Sequence, residues 1–575
     1  MKIIYFLITL LAPFFYISAE EDRSDQIRIY SKPGYYSFRN DLPNAFAPLS
    51  LDALKVLEKG FQDESMKSPS RGVSSTSLKL IKAKLLDHLE KECREKYGLN
   101  ETLATFLADN PLIRESLLLS FEPNHDDITK AIAIFNEILN LDEKLLKKYY
   151  HLAIAISIVW DQEDAVHSSK MACVWGFEKP QFNVSFKALD VWAYFTSKYQ
   201  KYFLHKIDKL VWPMLVYIVD YDLTTEERDW ALKNYYKWKT KIGGLYQEVK
   251  YDYQKLETRT PAIGLNRPYN IMNIKKYNGI CGDQSHFASR IAKTLGIPSM
   301  KVSGDGRFGG SHAWAGYLIG KRGKPSLEFT GRYNNDMYYI GHIFNPQKRN
   351  LTLDRHLAMM LDGAAKSYKD YIDSLVAARL ANQTLDNNPE LSKELALFAA
   401  DLSPYSKNAW DSVIDQLNTG TLTWKDGMDI YKKMLKDISG HPDITFDVMM
   451  AINKAIPQDD YKTKQKIFNL TAPLYQKMKR PDLMIELRIE QCNQLAAYTG
   501  LDALKLALTT CIQHAEESTL ILPLVEKCIS ITKEYKLESK VKNYFQKIDD
   551  KFPKRRGSSP SEAYDTFRKL KAQIY

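Results

Sequence analysis

Apolar residues in this chain recur at two different spacings, and the change between them divides it. Over Ala131, Ile132, Ile134, Phe135, Ile138 and Leu139 the three- and four-residue interval predicts an amphipathic helix. The same interval predicts helices through most of 51–164, broken at 68–72 and 122–125. It returns after Leu353 over 355–381, 388–400, 410–417, 424–438 and 445–454, with further pairs to Phe552. Between these regions the pattern shortens. Phe287, Ala288, Ile291, Ala292 and Leu295 predict one more helix, ended by Gly296 at the C′ position and barred from continuing by Pro298. Met300 to Val302 then reads as a short buried strand, and 304–311 as a glycine-rich loop. His312 to Ile319 and Leu327 to Thr330 read as strands joined by a turn over 320–325. The stretch 245–275 mixes strand-like and turn-like features. Trp192, Tyr194, Phe195, Trp212 and Trp230 mark 177–243 as aromatic-rich, most simply core.

The chemistry sits where the spacing changes. Cys281 opens the predicted helix and His312 opens the predicted strand 31 residues later. A sulfur that can ionise and an imidazole that can take and return its proton are the two parts of thiol catalysis. A helix N-terminus adds the positive end of the dipole, which favours thiolate. Either residue alone is more often an inert buried side chain; the two in this order and spacing point to acyl transfer.

The segments around them, Gly279-Ile280-Cys281-Gly282-Asp283-Gln284-Ser285, Leu295-Gly296-Ile297-Pro298 and Ser311-His312-Ala313-Trp314, resemble the transglutaminase-like (papain-like) cysteine-hydrolase core over about 277–333. The resemblance implies Cys281 as nucleophile and His312 as base and acid, with Asp283 supporting the turn. It also implies a third, acidic residue on a later strand, usually the Asp of an Asp-Pro-Thr sequence. This chain has none there. The counted position falls on Glu328, with Asn334 and Asp336 as alternatives. The oxyanion would be held by the Cys281 N–H and a second donor, for which Trp238, Tyr277 and Asn278 are candidates.

The expected fold class is α+β: a mainly helical chain with a central transglutaminase-like α+β domain and a C-terminal α-solenoid-like region. The expected division is a signal peptide over 1–19, a helical region over 20–244, the catalytic core over 245–352, helical repeats over 353–552 and a basic tail over 553–575. The last is read as partly loose. Lys2 followed by the apolar run 3–16, and the small residues before Glu20, predict cleavage after Ala19 and a secreted or periplasmic protein. An uncleaved anchor is the competing reading. No later run is long enough to span a membrane.

With 575 residues the chain exceeds one core, and 45% hydrophobic with 26% charged residues is ordinary for a globular protein. The net charge of +10 is spread thinly. Lys144, Lys147, Lys148 and Lys554, Arg555, Arg556 lack aromatic interleaving, so no nucleic-acid partner is expected. No His/Cys spacing suits a metal, and neither metal nor cofactor is expected. Of six cysteines, Cys492, Cys511 and Cys528 lie near one another, as a disulfide or as small buried hydrophobes. Two functions follow: a secreted cysteine enzyme acting on protein or peptide amides, or a degenerate scaffold that docks a protein partner on its C-terminal helices.

Overall fold

The computed structural model describes residues 75–162, 187–221, 223–258, 267–306, 311–321, 324–332, 338–556 and 559–574. The signal-peptide segment, Cys173, Asn334 and Asp336 lie outside them. The described residues form two compact units that divide between Gln458 and Asp459. That division falls inside the helical run expected as one region, so the helices over 354–455 belong with the sheet-bearing unit. The α+β class stands: the chain is mainly helical and carries one five-stranded antiparallel sheet.

The first unit starts from local rules. Side chains of Asn100, Asp127, Asp142, Thr224 and Asn388 accept hydrogen bonds from backbone N–H groups two or three residues inside their helices. Two helices, Tyr150–Val159 and Trp212–Val219, are apolar nearly all round and pack on each other as core. The expected helix 355–381 is two, Asp354–Lys366 and Tyr368–Thr384, because the extended Ser367 caps the second by accepting from the Asp370 N–H. The stretch 245–275 holds no strand among its described residues. It is 3₁₀ over Ile242–Glu248 and helical over Tyr253–Thr258 and Ile271–Tyr277, the last capped by Asn270.

Strands β1 (Ser299–Gly306), β2 (Ser311–Lys321), β3 (Lys324–Thr330), β4 (Tyr338–Phe344) and β5 (Leu351–Leu353) order as β3-β2-β1-β4-β5. Three residues of the expected glycine loop, Gly304, Asp305 and Gly306, belong to β1 and pair with β4, a strand not foreseen. The Cys281–Thr294 helix packs on β1 and β2, and the Asp354–Lys366 helix packs on β3 and β4. Alternation sends Lys301, Ser303, Ala313, Ala315 and Tyr317 to one face and Val302, His312, Trp314 and Gly316 to the other. Covered on both sides, β2 is buried from His312 through Leu318.

The second unit is helical from Tyr461 to Lys551, each helix packing on the next. Cys492, Cys511 and Cys528 lie in its apolar core as free thiols, with Cys511 and Cys528 hydrogen-bonded to one another, so no disulfide joins them. The described residues of the tail are packed. Residues Glu562–Lys571 form a helix whose Phe567 stacks on Phe552 at 4.7 Å, while Tyr564 and Lys571 bind Asp549 at 2.9 and 2.6 Å. Among the described residues no helix is long and apolar enough to cross a membrane.

Candidate functional site

The turn that delivers Cys281 is held from both sides. The Ile271–Tyr277 helix is tied to its neighbour by Glu227, which accepts from the Ile271 N–H at 3.0 Å. It ends at Asn278, whose φ of 64° and ψ of −178° lie in a region non-glycine residues rarely adopt. Gly279 then donates to the Lys250 carbonyl at 3.2 Å and accepts from the Asp252 N–H at 3.0 Å. A side chain at Gly279 would overlap the Asp283 carboxylate. That carboxylate accepts from the Ile280 N–H at 2.9 Å and from Tyr269 Oη at 2.7 Å, so Asp283 supports the turn as read from sequence. Burial pushes its pKa up, and the Tyr269 and Ile280 donors offset part of the rise.

Cys281 is the first residue of its helix. At the far end Gly296, at φ 69°, closes a Schellman motif: Gly296 N–H binds Lys293 O at 3.0 Å and Ile297 N–H binds Ala292 O at 3.1 Å. The Phe203 ring occupies the space a Cβ would need. A buried ion pair between Lys293, 1% exposed, and Asp220, 8% exposed, anchors the same end.

The sulfur meets β2 at its edge. Leu318 N–H binds Pro298 O at 2.8 Å, which places the backbone groups of even-numbered β2 residues on the β1 side. The N–H and C=O of Ala313 therefore face β3. There β3 has ceased to pair, since its ladder with β2 ends at Ala315 opposite Thr330. The Ala313 carbonyl accepts instead from Tyr246 Oη at 2.7 Å, and the Ala313 N–H hydrogen-bonds the Cys281 sulfur. Cys281 thus rests against the peptide bond that joins His312 to Ala313. A gap in the sheet is the candidate site.

His312, the residue before that N–H, is buried. Its Nε2 lies 2.7 Å from the carbonyl oxygen of Gly331. A carbonyl only accepts, so Nε2 carries the proton and Nδ1 the lone pair. Gly331 has a φ of 85°, and a Cβ there would overlap the Tyr246 ring, which leaves glycine as the residue that fits. Trp314, two residues on, lies 6.0 Å from the imidazole between ring centroids.

Glu328 is not the partner of His312. It pairs with Tyr317, on the sheet face opposite to His312 and Trp314. Tyr317 lies five residues further along the strand than His312, roughly 17 Å. Counting along the sequence put Glu328 in the right strand, but pairing register and pleat decide which way it points. Of the candidate oxyanion donors, Trp238 packs on Gly244 and Tyr235, and the Tyr277 ring lies under Arg267 at 4.1 Å. Tyr246 and Gly331 were missed because nothing local marks them. Tyr246 acts on a residue 67 positions away.

Electrostatics differ from the expectation based on the helix dipole. Burial pushes the Cys281 thiol up, and this outweighs the opposing pull of the Ala313 and Gly282 N–H groups and the Lys301 charge. Burial likewise pushes His312 down, against the hydrogen bond to Gly331. The pair is therefore poised as neutral thiol and neutral imidazole. Among the described residues no cluster of side chains could hold a metal ion. Comparison with known proteins finds no matching family model, no matching curated relative and no matching solved structure.

Proposed function

We propose that the chain is a transglutaminase-like cysteine enzyme that transfers or hydrolyses acyl groups of protein or peptide amides, acting outside the cytoplasm. The observation that carries this reading is the placement of the Cys281 sulfur, at a helix N-terminus, on the N–H of the residue that follows His312. With Nε2–H donated to Gly331, the base in this reading is the Nδ1 lone pair.

In the proposed reaction the sulfur attacks the amide carbonyl while Nδ1 takes the thiol proton, so a neutral pair becomes charged only as the bond forms. Helix-start N–H groups, which have no partner within the helix, stabilise the oxyanion. The C–N bond breaks, Nδ1 returns the proton to the departing amine or ammonia, and a thioester remains. Water or an acceptor amine, deprotonated in turn by Nδ1, releases the acyl group and the thiol. The C-terminal helices, solenoid-like in rhythm, are the surface on which a protein substrate or partner would dock.

A second reading is favoured by the elevated thiol and by the displacement of Glu328 from His312: a degenerate member that binds without turnover. Proteome-wide profiling of cleaved, deamidated and cross-linked peptides, with wild type beside Cys281→Ala and His312→Ala, separates the two. Products that vanish in both variants support the enzyme. An identical product set in all three proteins would leave the scaffold.

A further inference from the structure

The acid that usually orients the histidine is missing from its expected strand position, yet a buried carboxylate lies one step behind the group that replaces it. Gly331, whose carbonyl accepts the hydrogen bond from His312 Nε2–H, shares that peptide bond with Arg332. Arg332 is 8% exposed and its guanidinium is fixed on three sides. Nη1 lies 3.5 Å from Oδ2 of Asp354, a side chain only 1% exposed at the start of the Asp354–Lys366 helix. Its Cζ sits 5.2 Å from the Trp314 ring centroid and 5.6 Å from that of Phe329. Trp314 in turn neighbours the imidazole on the same sheet face. The space for this stack comes from Gly341, where any side chain would overlap both the Trp314 ring and the Asp354 carboxylate. The chain of contacts runs from carboxylate to guanidinium to the peptide carrying the carbonyl, and from that carbonyl to Nε2.

We infer that Asp354 fills the third place of the site indirectly, as a positioning residue. It clamps Arg332 so that the Gly331 carbonyl is held on His312 Nε2–H, and the tautomer with its lone pair on Nδ1 is the one maintained. The role belongs to the acyl-transfer reading above, on which this inference rests. A carboxylate touching the imidazole would both orient it and stabilise the imidazolium. A backbone carbonyl held by a remote ion pair keeps the orientation and supplies only a dipole, which matches a histidine that rests neutral. The planar guanidinium is what allows the clamp to grip a carboxylate and lie near two aromatic rings at once.

The test uses the full chain and two residue-resolved labels read by mass spectrometry: iodoacetamide at Cys281 and diethyl pyrocarbonate at His312. In Asp354→Asn, Cys281 alkylation at neutral pH is expected to fall about tenfold, the scale for a base that loses its orientation. His312 carbethoxylation is expected to rise as Nε2 is released. Arg332→Gln combined with Asp354→Asn removes both charges of this ion pair together, which guards against misfolding, and is expected to behave alike. Glu328→Gln is expected to match wild type in both labels. If the folded double variant labels at wild-type rates at both residues, the clamp is overturned. If His312→Ala leaves Cys281 alkylation unchanged, the acyl-transfer reading fails, while carbethoxylation of His312 in Asp354→Asn still reads the clamp by itself.

Discussion

The Nε2 of His312 lies 2.7 Å from the carbonyl oxygen of Gly331, so the histidine is oriented by backbone at the point where β3 leaves β2. The departure of one strand does three things at once. It frees the two backbone groups of Ala313, gives the Cys281 sulfur an N–H to rest on, and turns a carbonyl toward the imidazole.

Gly331→Ala is expected to damage the site and the fold together. The positive φ and the Tyr246 ring both oppose a Cβ, a combination that costs on the order of 1–3 kcal/mol. A lowered midpoint in urea, together with slower alkylation of Cys281, is the expected result. A variant as stable and as reactive as wild type would mean that the Gly331 carbonyl does not hold the imidazole.

Glu328→Gln is expected to leave stability within about 0.5 kcal/mol, as for ordinary partly exposed positions, and to leave the Cys281 reaction rate untouched. Glu328 stands opposite Tyr317, far along the sheet from His312. A large loss of reactivity in a stably folded Glu328→Gln protein would contradict that register.

The pH profile follows from the signs of the two shifts. Burial raises the thiol and lowers the imidazole, so each group keeps its neutral form over a wider range. Alkylation of Cys281 should decline on the acid side only below the ordinary imidazole value of about 6.5, as His312 takes a proton and ceases to act as base. His312→Ala should abolish that limb. Rapid, level alkylation continuing well into acid would instead indicate a preformed thiolate–imidazolium pair and refute the neutral one.

Lys293 and Asp220 should be strongly non-additive. Removing one partner of a buried ion pair costs about 3–5 kcal/mol, because the charge left behind loses the counter-charge it was buried against. Lys293→Met alone should therefore destabilise more than Lys293→Met with Asp220→Leu, since both side chains are nearly inaccessible. Chemical denaturation of the single and double variants measures this, and additive losses would show the pair to be independent.

Several of these features were legible in the sequence because they are settled within a few residues. The helix start at Cys281, its stop at Gly296 and Pro298, and the alternation of β2 each depend on one turn of helix, one backbone conformation or a two-residue period. The cap at Ser367 shows the limit of that reading. A serine inside an apolar helical rhythm was passed over, though its side chain is what splits the run into two helices.

What only the tertiary structure decided lies farther apart along the chain. Gly331 is 19 residues from His312, and Tyr246 is 67 from the carbonyl it binds. No local pattern records such contacts, since they depend on strand register and on where β3 diverges. Glu328 shows why counting fails there: a position in the right strand can still face the wrong side of the sheet. The sign of the thiol shift was decided the same way. A helix N-terminus favours the thiolate from nearby, but burial by the whole unit outweighs it, and burial is a property of the folded chain and not of any segment.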